Sequence, residues 1–409
     1  MSASLALPPE TTAAAPHAPC PKLRWSQAYE SLPGVRNVHT MDLDVTEACN
    51  LACVYCFKWQ KKPVHISEAM AKNALDWLLE ASGNFTGEIK VNFMGGEPLL
   101  RFDLIRKIVP YGKCRARQLG KRLHFGCTTN CTHLTDEMMD FWRRFGMGFH
   151  CSIDGIPEVQ NANRPLLGGG ASSPLVEKNV PKILAYRPGV MARATITPRS
   201  VRALLESAKY LAGLGFRSMT FKVAVNCDWK PEDFEALRSQ YEQLGEFYLE
   251  ALVTGRPLVI EELRSGIRSI HSVEANSRFP CGAGRGVILL DPRGEFWPCH
   301  RFGPHQCGGQ FRLGRMGEPF NDRMRRVFLE YNAVEDAKAG CQNCPATLTC
   351  RSWCYAECVD STRTFYDPGG EYCQAVRVVH NEVLRLHDRL RSNHKNILLE
   401  MTNKEEAGP

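Results

Sequence analysis

The chain has 409 residues, 44% of them hydrophobic and 23% charged, with a formal net charge of +7. This length and composition exclude a small disulfide-stapled peptide, a coiled-coil rod and a largely disordered chain, and no apolar run approaches the ~20 residues that cross a membrane. No basic residue precedes Lys22 and the only early apolar patch is Leu5-Ala6-Leu7, so no secretory signal is read; a cytoplasmic protein is expected, whose 18 cysteines point to metal ligation or redox chemistry.

Residues 1–35 open with Pro, Ala and Thr clusters and read as a loose tail. From Arg36, strand-like and helix-like stretches alternate: Met41–Thr46 then Ser67–Ala81, Ile89–Phe93 then Phe102–Leu119, Leu123–Thr128 then Thr135–Phe145. Gly148–Ile153 precedes Pro174–Ala185, Gly189–Thr197 precedes Ser200–Leu214, and Met219–Val225 precedes Pro231–Ala251. Parallel strands need crossover connections, so six such units predict an α/β fold, a parallel sheet with outer helices in a partial (β/α)6 TIM-like barrel. Beyond about residue 255 the alternation fails. The segment 275–375 is rich in Gly, Pro and turn signals such as Asp291-Pro292-Arg293-Gly294, and its nine cysteines, from Cys281 to Cys373, predict a region held together by bound metal. Helical spacing returns over Ala375–Ser392. The expected divisions are a tail (1–35), a core (36–230), a connecting helical segment (231–274), a cysteine-rich domain (275–375) and a C-terminal helix and tail (376–409).

Two motifs carry chemistry at strand ends, where parallel βα folds place their sites. Cys49, Cys53 and Cys56 lie within eight residues directly after the first strand. Three thiolates can hold three irons of a four-iron cluster and leave the fourth open to a small molecule; the bland alternative is buried free thiols. Phe93-Met94-Gly95-Gly96-Glu97-Pro98 ends the second strand. Its glycines permit close backbone approach and its carboxylate suits an ammonium group, although in isolation its default reading is a strand-to-helix turn. Further on, Cys281, Gly294, Cys299, Cys341-x2-Cys344-x5-Cys350-x3-Cys354 and Cys373 follow in order, for which a zinc ribbon is the simple alternative.

Together these motifs resemble the radical S-adenosylmethionine (SAM) enzymes, and the later cysteine order resembles their SPASM extension; the likeness covers residues 40–375. The resemblance implies a radical SAM barrel followed by a SPASM domain with two auxiliary [4Fe–4S] clusters, three clusters in all. Cys49, Cys53 and Cys56 would bind the SAM cluster, Tyr55 would pack near adenine, and Gly95, Gly96 and Glu97 would receive the methionine amino group. Thr128-Thr129-Asn130 and Ser152-Ile153-Asp154-Gly155 look like the family's polar ligands to ribose and carboxylate. Arg164 and Arg193 are candidates for the SAM carboxylate or, equally, surface salt-bridge residues. One auxiliary cluster would use Cys341, Cys344, Cys350 and Cys373, the other Cys281, Cys299 and Cys354. Some relatives supply its fourth ligand six residues after the first cysteine, a position occupied here by Val287. Cys307, Cys358 or an exogenous donor such as a substrate thiolate remain for that iron. Cys20, Cys114, Cys127, Cys131, Cys151 and Cys227 read as structural or incidental.

SPASM-containing relatives are similar in acting on peptides or proteins. Where sulfatase maturases carry an aspartate after the second SPASM cysteine, this chain has His300, which is either a base or a hydrogen-bond partner of a cluster sulfur. The resemblance therefore implies a peptide maturase forming thioether or carbon–carbon links, the alternatives being a formylglycine-forming sulfatase maturase and a non-catalytic zinc or nucleic-acid-binding protein. Residues 1–40 are too short for a leader-recognition domain, so a separate recognition protein or direct substrate binding is expected, with an electron donor such as flavodoxin or ferredoxin. Neither membrane nor nucleic acid is an expected partner. About ten thiolates on iron–sulfur cores would reduce the charge to roughly +3, and the basic residues form no stripe.

Overall fold

A computed structural model describes residues 37–58, 61–225, 227–271, 281–304, 309–330, 341, 343–350, 354–362 and 369–402. The expected tail 1–35, Cys20 and Cys307 lie outside the described residues. Ten strands form one sheet: β1 (Thr40–Thr46), β2 (Ile89–Gly95), β3 (Leu123–Thr129), β4 (Gly148–Ser152), β5 (Met191–Ile196), β6 (Ser218–Val223), β7 (Val259–Ile260), β8 (Val287–Leu290), β9 (Glu295–Trp297) and β10 (Gly314–Arg315). Their order is β10-β9-β8-β1-β2-β3-β4-β5-β6-β7, parallel from β8 to β7, with β9 and β10 added antiparallel. The sheet is open, with β10 and β7 at its two edges.

The six expected βα units are present, and some of their helices begin where a side chain accepts from a first-turn amide. Helix α1 (Glu68–Ala81) is capped by Ser67, whose hydroxyl accepts from the Met70 amide at 3.1 Å. After α2 (Phe102–Gln118), helix α3 (Asp136–Phe145) is capped by Thr135 and closed by Gly146 at φ +60°. An additional short helix, α4 (Pro157–Asn163), precedes α5 (Ser173–Tyr186); α6 (Leu204–Gly213) and α7 (Pro231–Val253) complete the series. The apolar faces of these helices cover the sheet, with Trp142, Phe93 and Phe125 fully buried between the layers.

The alternation does not stop at residue 255, as periodicity predicts. Strand β7 leads into α8 (Glu261–His271), and β8 inserts beside β1, pairing Thr40 with Val287 and Leu43 with Leu290. The run Val-Ile-Leu-Leu is too short to announce a strand; its partner, β1, lies far away in sequence. The start of the cysteine-rich segment is thus part of the core sheet. The remainder holds α9 (Asp322–Glu330) and α10 (Tyr355–Thr362). The final helices are α11 (Gly370–Asn393), packed on α7 and α8, and α12 (Lys395–Thr402). Among the described residues no helix is long and apolar enough to cross a membrane.

Candidate active site

The carboxyl end of β1 turns into the three-cysteine loop, and hydrogen bonds pin that turn. The Ala48 amide donates to Thr46 Oγ1 at 3.0 Å, the Gly96 amide to the Thr46 carbonyl at 2.8 Å and the Glu97 amide to the Ala48 carbonyl at 2.9 Å. The glycine pair is required by this contact: a Cβ at Gly95, which has φ +132°, would overlap the Thr46 carbonyl, and one at Gly96 the Ala48 carbonyl. The glycines therefore serve backbone against backbone as well as facing the cavity.

That cavity, of about 570 Å³, opens at the strand ends. Cys49, Cys53, Cys56, Tyr55, Gly95, Gly96, Glu97, Asn130, Ser152, Arg164 and Arg193 all line it, and from the second cysteine region so do His300, Cys350 and Cys354. The two regions thus share one chamber. Its far wall comes from β6, α8 and α11.

Several expected roles change. Glu97 is 1% exposed, and its carboxylate already accepts from the Thr129 hydroxyl at 2.9 Å and from the Leu99 and Asn130 amides at 3.1 and 2.8 Å. Burial pushes its pKa up to about 7. Its oxygens tie the ends of β2 and β3 together. Asp154 does not reach the cavity wall. Its buried carboxylate accepts from the Tyr55 hydroxyl at 2.6 Å, the Thr195 amide at 2.9 Å and Arg164 at 2.9 Å; it orients the two residues that do line the wall. Arg164 is no surface residue: its side chain is 9% exposed, its guanidinium lies 5.3 Å from the Tyr55 ring centroid, and its Nε is buried without a hydrogen-bond partner among the described residues. An orphaned donor beside the cysteine loop fits an anionic ligand such as the SAM carboxylate.

Burial pushes the Cys49 and Cys53 thiols up, opposed by the charges of Lys61 at both and of Arg164 at Cys53. Nearby cations fit thiolates on an electron-rich cluster. Among the described residues no three His, Cys, Asp or Glu side chains converge tightly enough to chelate one metal ion. A four-iron cube spreads its thiolates more widely than a single ion does, so the three-cysteine loop suits the former.

In the second region desolvation raises the thiols of the half-buried Cys299 and Cys354; Cys299 feels the charge of Cys354, and both feel that of Cys281. These three cysteines therefore lie within electrostatic range of one another. Cys341, Cys344 and Cys350 lie on one loop, with the Cys344 amide donating to the Cys341 carbonyl at 3.1 Å; Tyr372, next to Cys373, feels the charges of Cys350 and Cys354. Val287 opens β8. Cys358 is buried in α10, and Cys127, Cys131 and Cys151 are buried behind the cavity.

His300 resolves toward a partner the sequence does not reveal. Its Nδ1 lies 2.8 Å from Asp42 Oδ2, and Asn92 Nδ2 donates to Asp42 Oδ1 at 3.1 Å. Burial alone would raise the Asp42 pKa, but the His300 hydrogen bond and charge, the Asn92 hydrogen bond and the Lys58 charge more than offset it, and the net shift is downward. With Nδ1 turned to the carboxylate, Nε2 is the ring nitrogen left for the cavity. Asp42, Asp44 with its ion-pair partner Lys58, Lys61 and Arg301 are the residues sequence reasoning missed. The signal was present in β1, where Asp42 and Asp44 alternate with buried Leu43 and Val45: two carboxylates on the inner face of an otherwise apolar strand.

Comparison with known proteins follows this geometry. The Radical SAM superfamily profile matches residues 43–237. Uncharacterized protein MJ0907 of Methanocaldococcus jannaschii is 32% identical over 179 residues, 44% of this chain, which spans 60% of that protein's length. PqqA peptide cyclase of Xanthomonas oryzae is 26% identical, with 63% of this chain and 67% of the relative covered. The serine-type anaerobic sulfatase-maturating enzyme of Klebsiella aerogenes is 22% identical, with 78% and 80% covered. In fold, the chain is similar to anSMEcpe with bound AdoMet (SAM) and the Cp18Cys peptide, at TM-score 0.72 and 17% identity, covering 87% of this chain and 99% of that one. The profile match marks residues 43–237 as similar to the radical SAM superfamily, and the likeness to anSMEcpe is one of fold.

Proposed function

We propose that this protein binds SAM at a [4Fe–4S] cluster held by Cys49, Cys53 and Cys56 and oxidatively modifies a peptide, installing a thioether or carbon–carbon crosslink. The supporting observation is the shared chamber, onto which the three-cysteine loop, His300, Cys350 and Cys354 all open. When bound, the cluster and SAM supply a 5′-deoxyadenosyl radical by reductive carbon–sulfur cleavage, a species able to take hydrogen from an unactivated carbon.

The chain's own residues position and protect that chemistry. Arg164, aligned by Asp154, receives the SAM carboxylate; Tyr55, held by the same aspartate, presents its ring beside it. Asn130 and Ser152 supply polar contacts from the β3 and β4 ends, with Arg193 on β5 as a second cation. The α8 and α11 wall encloses the chamber and limits water. His300, oriented by Asp42, accepts a proton from the substrate at Nε2. Cys281, Cys299 and Cys354 would hold one auxiliary cluster and Cys341, Cys344, Cys350 and Cys373 the other. A flavodoxin or ferredoxin supplies the electron in the cytoplasm, and a separate recognition protein or the chamber itself selects the peptide.

The test is anaerobic reconstitution, which should give about twelve irons per chain, followed by incubation with SAM, reductant and any short peptide that a neighbouring reading frame encodes. The expected products are 5′-deoxyadenosine and a peptide lighter by two hydrogens. Formylglycine on a sulfatase peptide would replace the crosslinking reading, and a colourless zinc protein with salt-dependent nucleic-acid binding would sink both.

A further inference from the structure

Arg301 joins the two cysteine regions. It lies two residues after Cys299, and its guanidinium stands 4.8 Å from the centroid of the Phe57 ring, next in sequence to Cys56. Through Nη2 it pairs with Glu357 at 2.8 Å and Asp360 at 3.2 Å, both on α10, which begins directly after Cys354. Its Nε is sealed from solvent and has no hydrogen-bond partner among the described residues.

A simple structural ion pair does not account for this arrangement. Two carboxylates already answer one positive charge, yet both engage the same nitrogen and leave an adjacent N–H buried and unsatisfied, which proteins rarely tolerate. Arg301 and the thiols of Cys354 and Cys299 lie close enough to interact electrostatically. A sulfur atom of an iron–sulfur centre at those cysteines would be an acceptor for such a donor. N–H donors and positive charge beside a cluster favour its reduced, more negative state.

We propose that Arg301 is a positioning residue for the auxiliary centre of Cys281, Cys299 and Cys354: its Nε–H donates to a sulfur of that centre, and its charge raises the centre's reduction potential. This rests on the reading that an iron–sulfur centre is bound there. Glu357 and Asp360 fix the side chain, and Phe57 ties its position to the SAM-cluster loop.

The test is a redox titration of the reconstituted full-length chain, followed by electron paramagnetic resonance of the auxiliary signals, with iron content measured in parallel. Arg301→Met should lower the midpoint potential of one auxiliary centre. Arg301→Lys, which keeps charge without the Nε donor, should fall between it and wild type. Glu357→Gln, which removes an anion from the same cluster of charges, should shift the midpoint upward. An unchanged midpoint in Arg301→Met at wild-type iron content overturns the proposal, as does a raised peptide KM as its sole effect. If Arg301→Met loses iron, Arg301→Lys decides: iron retained with a lowered midpoint supports the proposal, and a wild-type midpoint overturns it. A Cys299→Ala chain that retains all wild-type iron would refute the underlying cluster assignment, an outcome separable from failure of the Arg301 role.

Discussion

The two regions that meet at the chamber are built by different forces. The βα core from Thr40 to Val223 buries large apolar side chains between sheet and helices, and its cysteine loop is pinned by backbone hydrogen bonds to the glycine pair of β2. The second region contributes a short hairpin to the sheet, and among the described residues Pro345–Leu348 forms a 3-10 turn between Cys344 and Cys350. The first is a scaffold that carries a cofactor loop. The second places Cys281, Cys299, Cys344 and Cys350 on short loops and turns, so the order of those segments would depend more on what the thiols bind.

Cysteine substitutions divide the regions most sharply. Cys53→Ala should abolish 5′-deoxyadenosine formation and lower iron by about a third if three four-iron clusters are present. Cys344→Ala should permit SAM cleavage and stop the modification of peptide. Chromatography of the nucleoside, mass spectrometry of the peptide and iron analysis of the two variants check the contrast; equal loss of cleavage in both would erase it.

Stability provides the next test. Trp142→Ala, in the fully buried core, should cost about 3–5 kcal/mol whether or not metal is bound. Removal of iron by a chelator should instead expose the amides of residues 341–350 and 354–362 to hydrogen exchange while the β1–β6 amides keep their protection. Uniform deprotection would show one cooperative unit.

Gly95→Ala examines the seam between scaffold and cofactor loop. A Cβ meeting the Thr46 carbonyl at positive φ should cost about 2–3 kcal/mol. SAM affinity should fall with it, measured by denaturation and by equilibrium binding.

Asp42→Asn tests the link from the core to His300 and should have the smallest effect, about a ten- to hundredfold loss of peptide turnover with iron content retained. The Asp42 carboxyl is held below its ordinary value of 3.8 by groups present only in the folded chain. Its contribution to stability is therefore present above that value and is lost as pH falls through the lower folded pKa. Acid denaturation should lose this component in Asp42→Asn, while the same variant compared near neutral pH should show the loss of the ionic hydrogen bond.

What the sequence by itself determined is what is local. Six alternations of apolar strand and amphipathic helix appear in the expected places because period 2 and period 3.6 are written into neighbouring residues. The three-cysteine loop and the glycine pair fall at strand ends for the same reason, and the order of the later cysteines was legible as a spacing. Tertiary structure alone decided the long-range partnerships. His300 meets Asp42 across 258 residues, β8 enters the sheet beside β1, Glu97 accepts from the Thr129 hydroxyl and the Leu99 and Asn130 amides, and Asp154 turns inward to align Tyr55 and Arg164. A motif states which groups are available. Which of them face the cavity depends on hydrogen-bond demands of buried backbone and side chains from other strands, and those demands exist only once the sheet has formed.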